Sequence, residues 1–118
     1  MMQGRKFSPK KGPEAKIQEA IIKRLRFEGW YVMVTHGNMY QSGFPDLYAT
    51  HSRYGPRWIE VKNPVSYQFT KAQLDCFPKL SANGSRIWIL VSDSDEEFAK
   101  LFQEANWYMY LLKTRACH

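Results

Sequence analysis

Three charged residues stand where charge is costly. Asp46 follows Pro45 at the head of the run LYATH. Glu60 and Lys62 interrupt WIEVK, an otherwise apolar stretch. Side chains at i and i+2 of a strand share a face. Glu60 and Lys62 therefore point the same way while Ile59 and Val61 face a core. Asp46 lies on the face opposite Leu47 and Ala49. If the two runs pair as a hairpin, Asp46 and Glu60 converge at one end of a sheet. Two carboxylates a few Å apart repel unless a cation lies between them. Oxygen-only ligands favour a hard ion, Mg2+ or Mn2+. Beside such an ion Lys62 can orient or activate a water, or stabilise charge developing on a phosphate.

The elements that position these residues follow from periodicity. GPEAKIQEAIIKRLRFEGW reads as a helix: Pro13 suits its first turn, Ile17, Ile21 and Leu25 form the apolar stripe, and Gly29 stops it. Residues 30–36 (WYVMVTH) and 45–51 (PDLYATH) read as strands. SRYGP is a turn, and 57–62 (RWIEVK) is a third strand ended by Asn63-Pro64. A second helix starts in QFTKAQLDCF, where Thr70 and Gln73 make a capping box and Phe69 with Leu74 a hydrophobic staple. Pro78 should kink or shorten it, and Gly84 marks its end. RIWILV, 86–91, reads as a central strand covered on both faces. Residues 94–104 read as an amphipathic third helix, and 107–112 (WYMYLL) as a last strand. The expected order is α-β-β-β-α-β-α-β.

The chain has 118 residues, 44 % of them hydrophobic, enough for one domain with one core. No apolar run approaches the ~20 residues that span a bilayer, and the basic start has no apolar segment behind it, so no secretory signal is expected. Cys76 and Cys117 alone make neither a disulfide framework nor a Cys zinc site, which fits a reducing cytoplasm. The net charge of +6 is uneven: residues 1–92 carry 14 basic and 6 acidic side chains, while 93–104 hold five acids against Lys100. That balance suits a polyanion partner, or simply a basic protein. Residues 1–11 read as a flexible basic arm and 12–118 as a single domain.

Pro-Asp, a gap, then Glu-x-Lys resembles the PD-(D/E)XK nuclease superfamily. The fuller set resembles its VRR-NUC family: a helix with Glu14 and Gln18, then GFPD, WIEVK and TKAQ. The match runs from about Glu14 to Val91. The resemblance implies a restriction-endonuclease-like α/β fold, a central mixed sheet flanked by helices, and metal-dependent hydrolysis of DNA phosphodiesters. It implies Asp46, Glu60 and the Val61 carbonyl as metal ligands, Lys62 serving the water, Glu14 completing the acidic cluster, and Gln18 and Gln73 at the margin. It further implies a homodimer acting on branched or duplex DNA, such as Holliday junctions or flaps, in repair or recombination in a bacterial or phage-infected cell. No membrane and no small-molecule cofactor is implied.

Each residue also has a plainer role. Glu60 and Lys62 can belong to a solvated edge strand, and Asp46 can cap a turn. Glu14 favours a helix N-terminus, Gln73 is explained by its capping box, and Gln18 by ordinary surface. In the loop HGNMYQSG, Gly37 and Gly43 permit close approach, and Asn38, Tyr40, Gln41 and Ser42 can meet a phosphate or a base. Lys10, Lys11, Arg53, Lys71 and Lys79 are candidate phosphate contacts. His36, Asn38 and His51 lack the ββα-metal spacing of an HNH nuclease. The rival to a nuclease is a non-catalytic DNA-binding module on the same fold.

Overall fold

A helix opens the described part of the chain because its start and stop signals agree. A computed structural model describes residues 12–35 and 43–116. Helix α1 (Pro13–Phe27) follows Gly12 and begins with proline at its first turn, where the missing N–H is one that has no helical partner anyway. It ends in a Schellman arrangement. The Trp30 N–H donates to the Leu25 carbonyl at 3.0 Å and the Gly29 N–H to the Arg26 carbonyl at 3.1 Å. Gly29 takes φ +93°, which L side chains resist. Ile21 and Leu25 are fully buried, each worth about 1.5–3 kcal/mol.

Four strands follow, β1 (Tyr31–Val34), β2 (Leu47–His51), β3 (Gly55–Val61) and β4 (Ile87–Leu90), in the spatial order β1-β2-β3-β4. The first two pairings are antiparallel and β3 pairs with β4 in parallel. A parallel pair needs a crossover, which α2 (Lys71–Ala82) supplies. After β4 come α3 (Asp95–Ala99), a 3-10 turn (Lys100–Phe102) and α4 (Trp107–Ala116).

Alternation along the strands divides the core in two. Val32, Leu47, Ala49, Ile59, Val61, Trp88 and Leu90 face Ile21 and Leu25 of α1, with Phe98 and Leu101. On the second face Ile87 and Ile89 meet Cys76 and Phe77 of α2 and Trp107 and Leu111 of α4. Glu60 and Lys62 belong to this second face by parity. Cys76 is a free thiol whose pKa burial pushes up, so it packs as a small hydrophobe.

Three expectations are corrected. The run 107–112 is helical: Trp107 and Leu111, four apart, reach the core while Tyr108, Met109 and Leu112 stay exposed. A fifth strand has no ladder to join, because Asn106 occupies it. Its amide oxygen accepts from the Ile89 N–H at 2.6 Å and its amide nitrogen donates to the Ile89 carbonyl at 3.3 Å. Beside it the Glu97 carboxylate accepts from the Val91 N–H at 3.0 Å. Strand β4 is thus an edge strand rather than a central one, although all four of its residues are buried. The third helix is shorter than 94–104 and passes into the 3-10 turn. Pro78 lies inside α2 without ending it.

Lys10, Lys11, the rest of the arm assigned to 1–11, and the loop residues Asn38, Tyr40 and Ser42 lie outside the described residues. No helix among those described is long and apolar enough to cross a membrane. Replacing Asn106 by Leu removes both edge bonds and leaves the Ile89 amide unsatisfied. The expected loss is about 1–3 kcal/mol, read as a lower midpoint in urea unfolding.

Candidate active site

The site forms where β2 and β3 part. Their ladder runs from His51–Gly55 to Leu47–Ile59. One residue further, in register, stand Asp46 and Glu60, and here side chains replace the backbone exchange. The Asp46 N–H donates to Glu60 Oε1 at 3.1 Å, and the Val61 N–H donates to Asp46 Oδ2 at 2.9 Å. Two residues on, the Asn63 N–H donates to Glu14 Oε2 at 3.1 Å. Alternate amides of β3 thus meet carboxylates on the side that β2 has left. On the other side the ladder to β4 continues, with the Lys62 N–H donating to the Leu90 carbonyl at 3.1 Å.

Asp46 is held from behind as well. Its carbonyl accepts from the Thr35 N–H at 2.9 Å and from the Thr35 hydroxyl at 3.0 Å, so the β1–β2 pairing outlasts the β2–β3 one. The same hydroxyl also donates to the Pro45 carbonyl. Gly43 enters this corner at φ +89° with the Ala72 carbonyl of α2 where a Cβ would stand. No other residue fits that conformation and that closeness together.

Lys62 is 4 % exposed, Glu60 0 % and Gln73 8 %. A buried charge is tolerated when it is paired and its hydrogen-bonding capacity is filled. The ammonium has three N–H groups and meets three acceptors: Glu60 Oε2 at 3.1 Å, Gln73 Oε1 at 3.0 Å and the Gln68 carbonyl at 2.7 Å. The Phe69 ring lies 4.9 Å from it. Gln73 also donates from Nε2 to Glu60 Oε2 at 2.8 Å. Its Oε1 accepts from the Thr70 N–H at 3.1 Å, while its own N–H donates to the Thr70 hydroxyl at 3.1 Å. The capping box and the site contact, alternatives in the sequence, coexist in one side chain. Phe69 turns to Phe77, with ring centroids 6.0 Å apart, and Leu74 is 39 % exposed.

The structure therefore brings Glu14, Asp46, Glu60, Val61, Lys62 and Gln73 to one end of the sheet. Gln18, one turn along α1 from Glu14, has a buried Oε1 with no hydrogen-bond partner. Lys71 is exposed at the start of α2, near Gln73. Arg53 is not brought to the site: it lies in the β2–β3 turn, at the opposite end of the hairpin from Asp46. Sequence reasoning missed the Gln68 carbonyl, the Phe69 ring and Thr35. Only Thr35 left a signal, as the residue that the hairpin register sets opposite Asp46.

Asp46, Glu60 and the carbonyl of Val61 are oxygen donors of the kind a hard divalent ion takes. Glu14 is committed to the Asn63 amide, and no group of three or more acidic, His or Cys side chains gathers around one point among the described residues. This donor set fits a hard divalent ion.

Compared by sequence, the chain matches no protein-family model and no curated protein. Compared by structure, it is similar to a solved VRR_NUC domain, with a TM-score of 0.59 over 76 % of this chain and 95 % of that one. The chain has the fold of a VRR_NUC domain. Sequence identity is 20 %, so the likeness lies in the backbone, a mixed four-stranded sheet with flanking helices.

Within this VRR_NUC-type fold the Glu60–Lys62 pair has a measurable signature. Lys62→Met leaves the buried Glu60 carboxylate without its cation and should cost about 3–5 kcal/mol. Adding Glu60→Gln should recover much of that loss. A double-mutant cycle in urea unfolding reads the coupling. Gly43→Ala should also destabilise, because both its φ and the Ala72 carbonyl oppose a side chain there.

Proposed function

We propose that the chain is a VRR-NUC nuclease, a metal-dependent endodeoxyribonuclease that hydrolyses phosphodiester bonds, with branched DNA such as four-way junctions or flaps as its substrate. The reading rests above all on the Asp46–Glu60 pair, locked in register at the parting of two strands with a buried lysine beside it. Asp46 and Glu60, with the Val61 carbonyl, would hold Mg2+ or Mn2+. Such an ion, when bound, lowers the pKa of water and polarises a phosphoryl oxygen.

The chain's own groups do the rest. Glu60 keeps Lys62 in place, and Gln73 and the Gln68 carbonyl fix the direction of its ammonium. A positive charge so held serves the attacking water and the charge that grows on the phosphate. Asp46, tied to the Val61 and Thr35 amides by its side chain and carbonyl, keeps its carboxylate aimed without reorganisation. Glu14 steadies the strand end beyond Lys62 by holding the Asn63 amide. Lys71, with Lys10 and Lys11, would meet backbone phosphates, as would Asn38, Tyr40 and Ser42 in the loop before Asp46. The net charge of +6 supports a polyanionic substrate. A homodimer would place two such sites across a branch, in the cytoplasm of a bacterial or phage-infected cell, with a role in repair or recombination.

A DNA-binding module without catalysis is the rival. A binding surface gains nothing from burying Glu60 and Lys62 at the end of a sheet, which favours the nuclease. The test is cleavage of duplex, flap and junction DNA with Mg2+, Mn2+ or EDTA. Cutting should need the metal and fall at least about 100-fold in Lys62→Ala and Asp46→Asn, with folding checked by circular dichroism. Cutting that survives both substitutions, or binding that never leads to cutting, rejects the nuclease.

A further inference from the structure

The second face of the sheet does not end at the Asp46–Glu60 row. Helices α2 and α4 pack over its β3–β4 side, whereas no described helix covers its β1–β2 side. Tyr31 and Met33, on this face by alternation with buried Val32, are 65 % and 52 % exposed. The register sets Met33 opposite Tyr48 and Tyr48 opposite Trp58. That row is two residues from Asp46 and Glu60 on the same face, about 6.7 Å along the strands, or roughly one stretched nucleotide. The rings of Tyr48 and Trp58 lie 4.9 Å apart, and Phe44 stands 5.7 Å from Trp58.

Two grooves meet at this ring pair. One, of about 470 Å³, is lined by Met33, Val34, Thr35 and Phe44 together with Tyr48 and Trp58, and it leads to the Asp46 corner. The other, of about 640 Å³, shares Tyr48 and Trp58 and contains Arg57 and Arg86. Among the described residues no carboxylate lines either groove. Arg57 is committed to the carbonyls of Leu101, Tyr54 and Pro56. Arg86 is exposed. Its charge helps depress the Arg57 guanidinium, after burial as the larger cause.

We propose that this face is a stacking platform for unpaired bases: Tyr48, Trp58 and Phe44 take base faces and Arg86 takes a backbone phosphate. The substrate would then be DNA with a single-stranded stretch beside the bond to be cut. The proposal rests on the nuclease reading and narrows its substrate. Unpaired bases offer open π-faces to aromatic side chains, whereas those of a duplex are already stacked. A second copy of the chain suits the face less well. A two-fold contact sets a patch against itself; it would bring the Arg86 charges of two copies toward one another, and among the described residues no acid lines the grooves to offset them.

Binding without metal separates the proposal from the nuclease reading. In EDTA, anisotropy of a labelled oligothymidylate and of a labelled blunt duplex is followed with the full chain. Wild type should prefer the oligothymidylate. Tyr48→Ala should weaken it about tenfold or more with little change for the duplex, and Tyr48→Phe should recover what Tyr48→Ala loses. Arg86→Gln should lower the salt slope by about one. Oligothymidylate should also quench tryptophan emission, and Trp58→Phe should remove that quenching. The proposal is overturned if Tyr48→Ala binds the oligothymidylate as wild type does, or if wild type prefers the duplex. It is also overturned if Tyr48→Ala only converts a dimer to a monomer in light scattering. Single-strand binding intact without any cutting in Mg2+ counts for the platform and against the nuclease.

Discussion

The structure turns on the place where two antiparallel strands stop exchanging backbone hydrogen bonds. Past Leu47 and Ile59, the amides of Asp46 and Val61 would be left without partners as the strands separate. Buried amides demand acceptors, and the acceptors are the side chains of Glu60 and Asp46. The two carboxylates therefore have a structural duty before any chemistry is considered. They close the fork of the sheet, and the closure fixes their relative position. Glu14 extends the same device by one more amide, from a helix on the opposite face. The arrangement brings three elements far apart in the chain to one strand end.

The second constraint is the buried ammonium of Lys62. Its burial is possible because its three N–H groups have acceptors from three different parts of the chain. One of these, Gln73, belongs to the first turn of α2, and α2 is also the crossover that makes β4 parallel to β3. The topology and the electrostatics thus share a residue. This explains why the helix must start where it does: a shift of one residue in its N-terminus would take Gln73 away from both Thr70 and Lys62.

Much of this was legible in the sequence, and what was not has physical reasons. The i, i+4 stripe of α1, the Thr70–Gln73 cap and the alternation about Glu60 are local patterns, and local patterns survive folding. The convergence of Asp46 and Glu60 followed from hairpin geometry. The run WYMYLL misled because its aromatic residues suit either period, and the deciding fact, the Asn106 side chain on the Ile89 ladder, is a contact across 17 positions. Continuous apolar character announced that β4 is covered on both faces but carries no information about its place in the sheet. Arg53 was singled out by its charge alone, and the hairpin register, not the charge, sets it at the opposite end from Asp46. The Gln68 carbonyl could not have been foreseen, since every residue has one.

The shared amide of Gln73 makes two events into one. A helix end ordinarily frays by itself, and its first hydrogen bonds open at little expense to the rest of a fold. Here the bond that shields the Thr70 amide ends on Gln73 Oε1, which also seats Lys62. Solvent exchange at that amide would therefore proceed through the loss of the lysine's surroundings rather than through local fraying. The start of α2 is in this sense part of the cooperative interior, and its exchange clock would keep the time of the site.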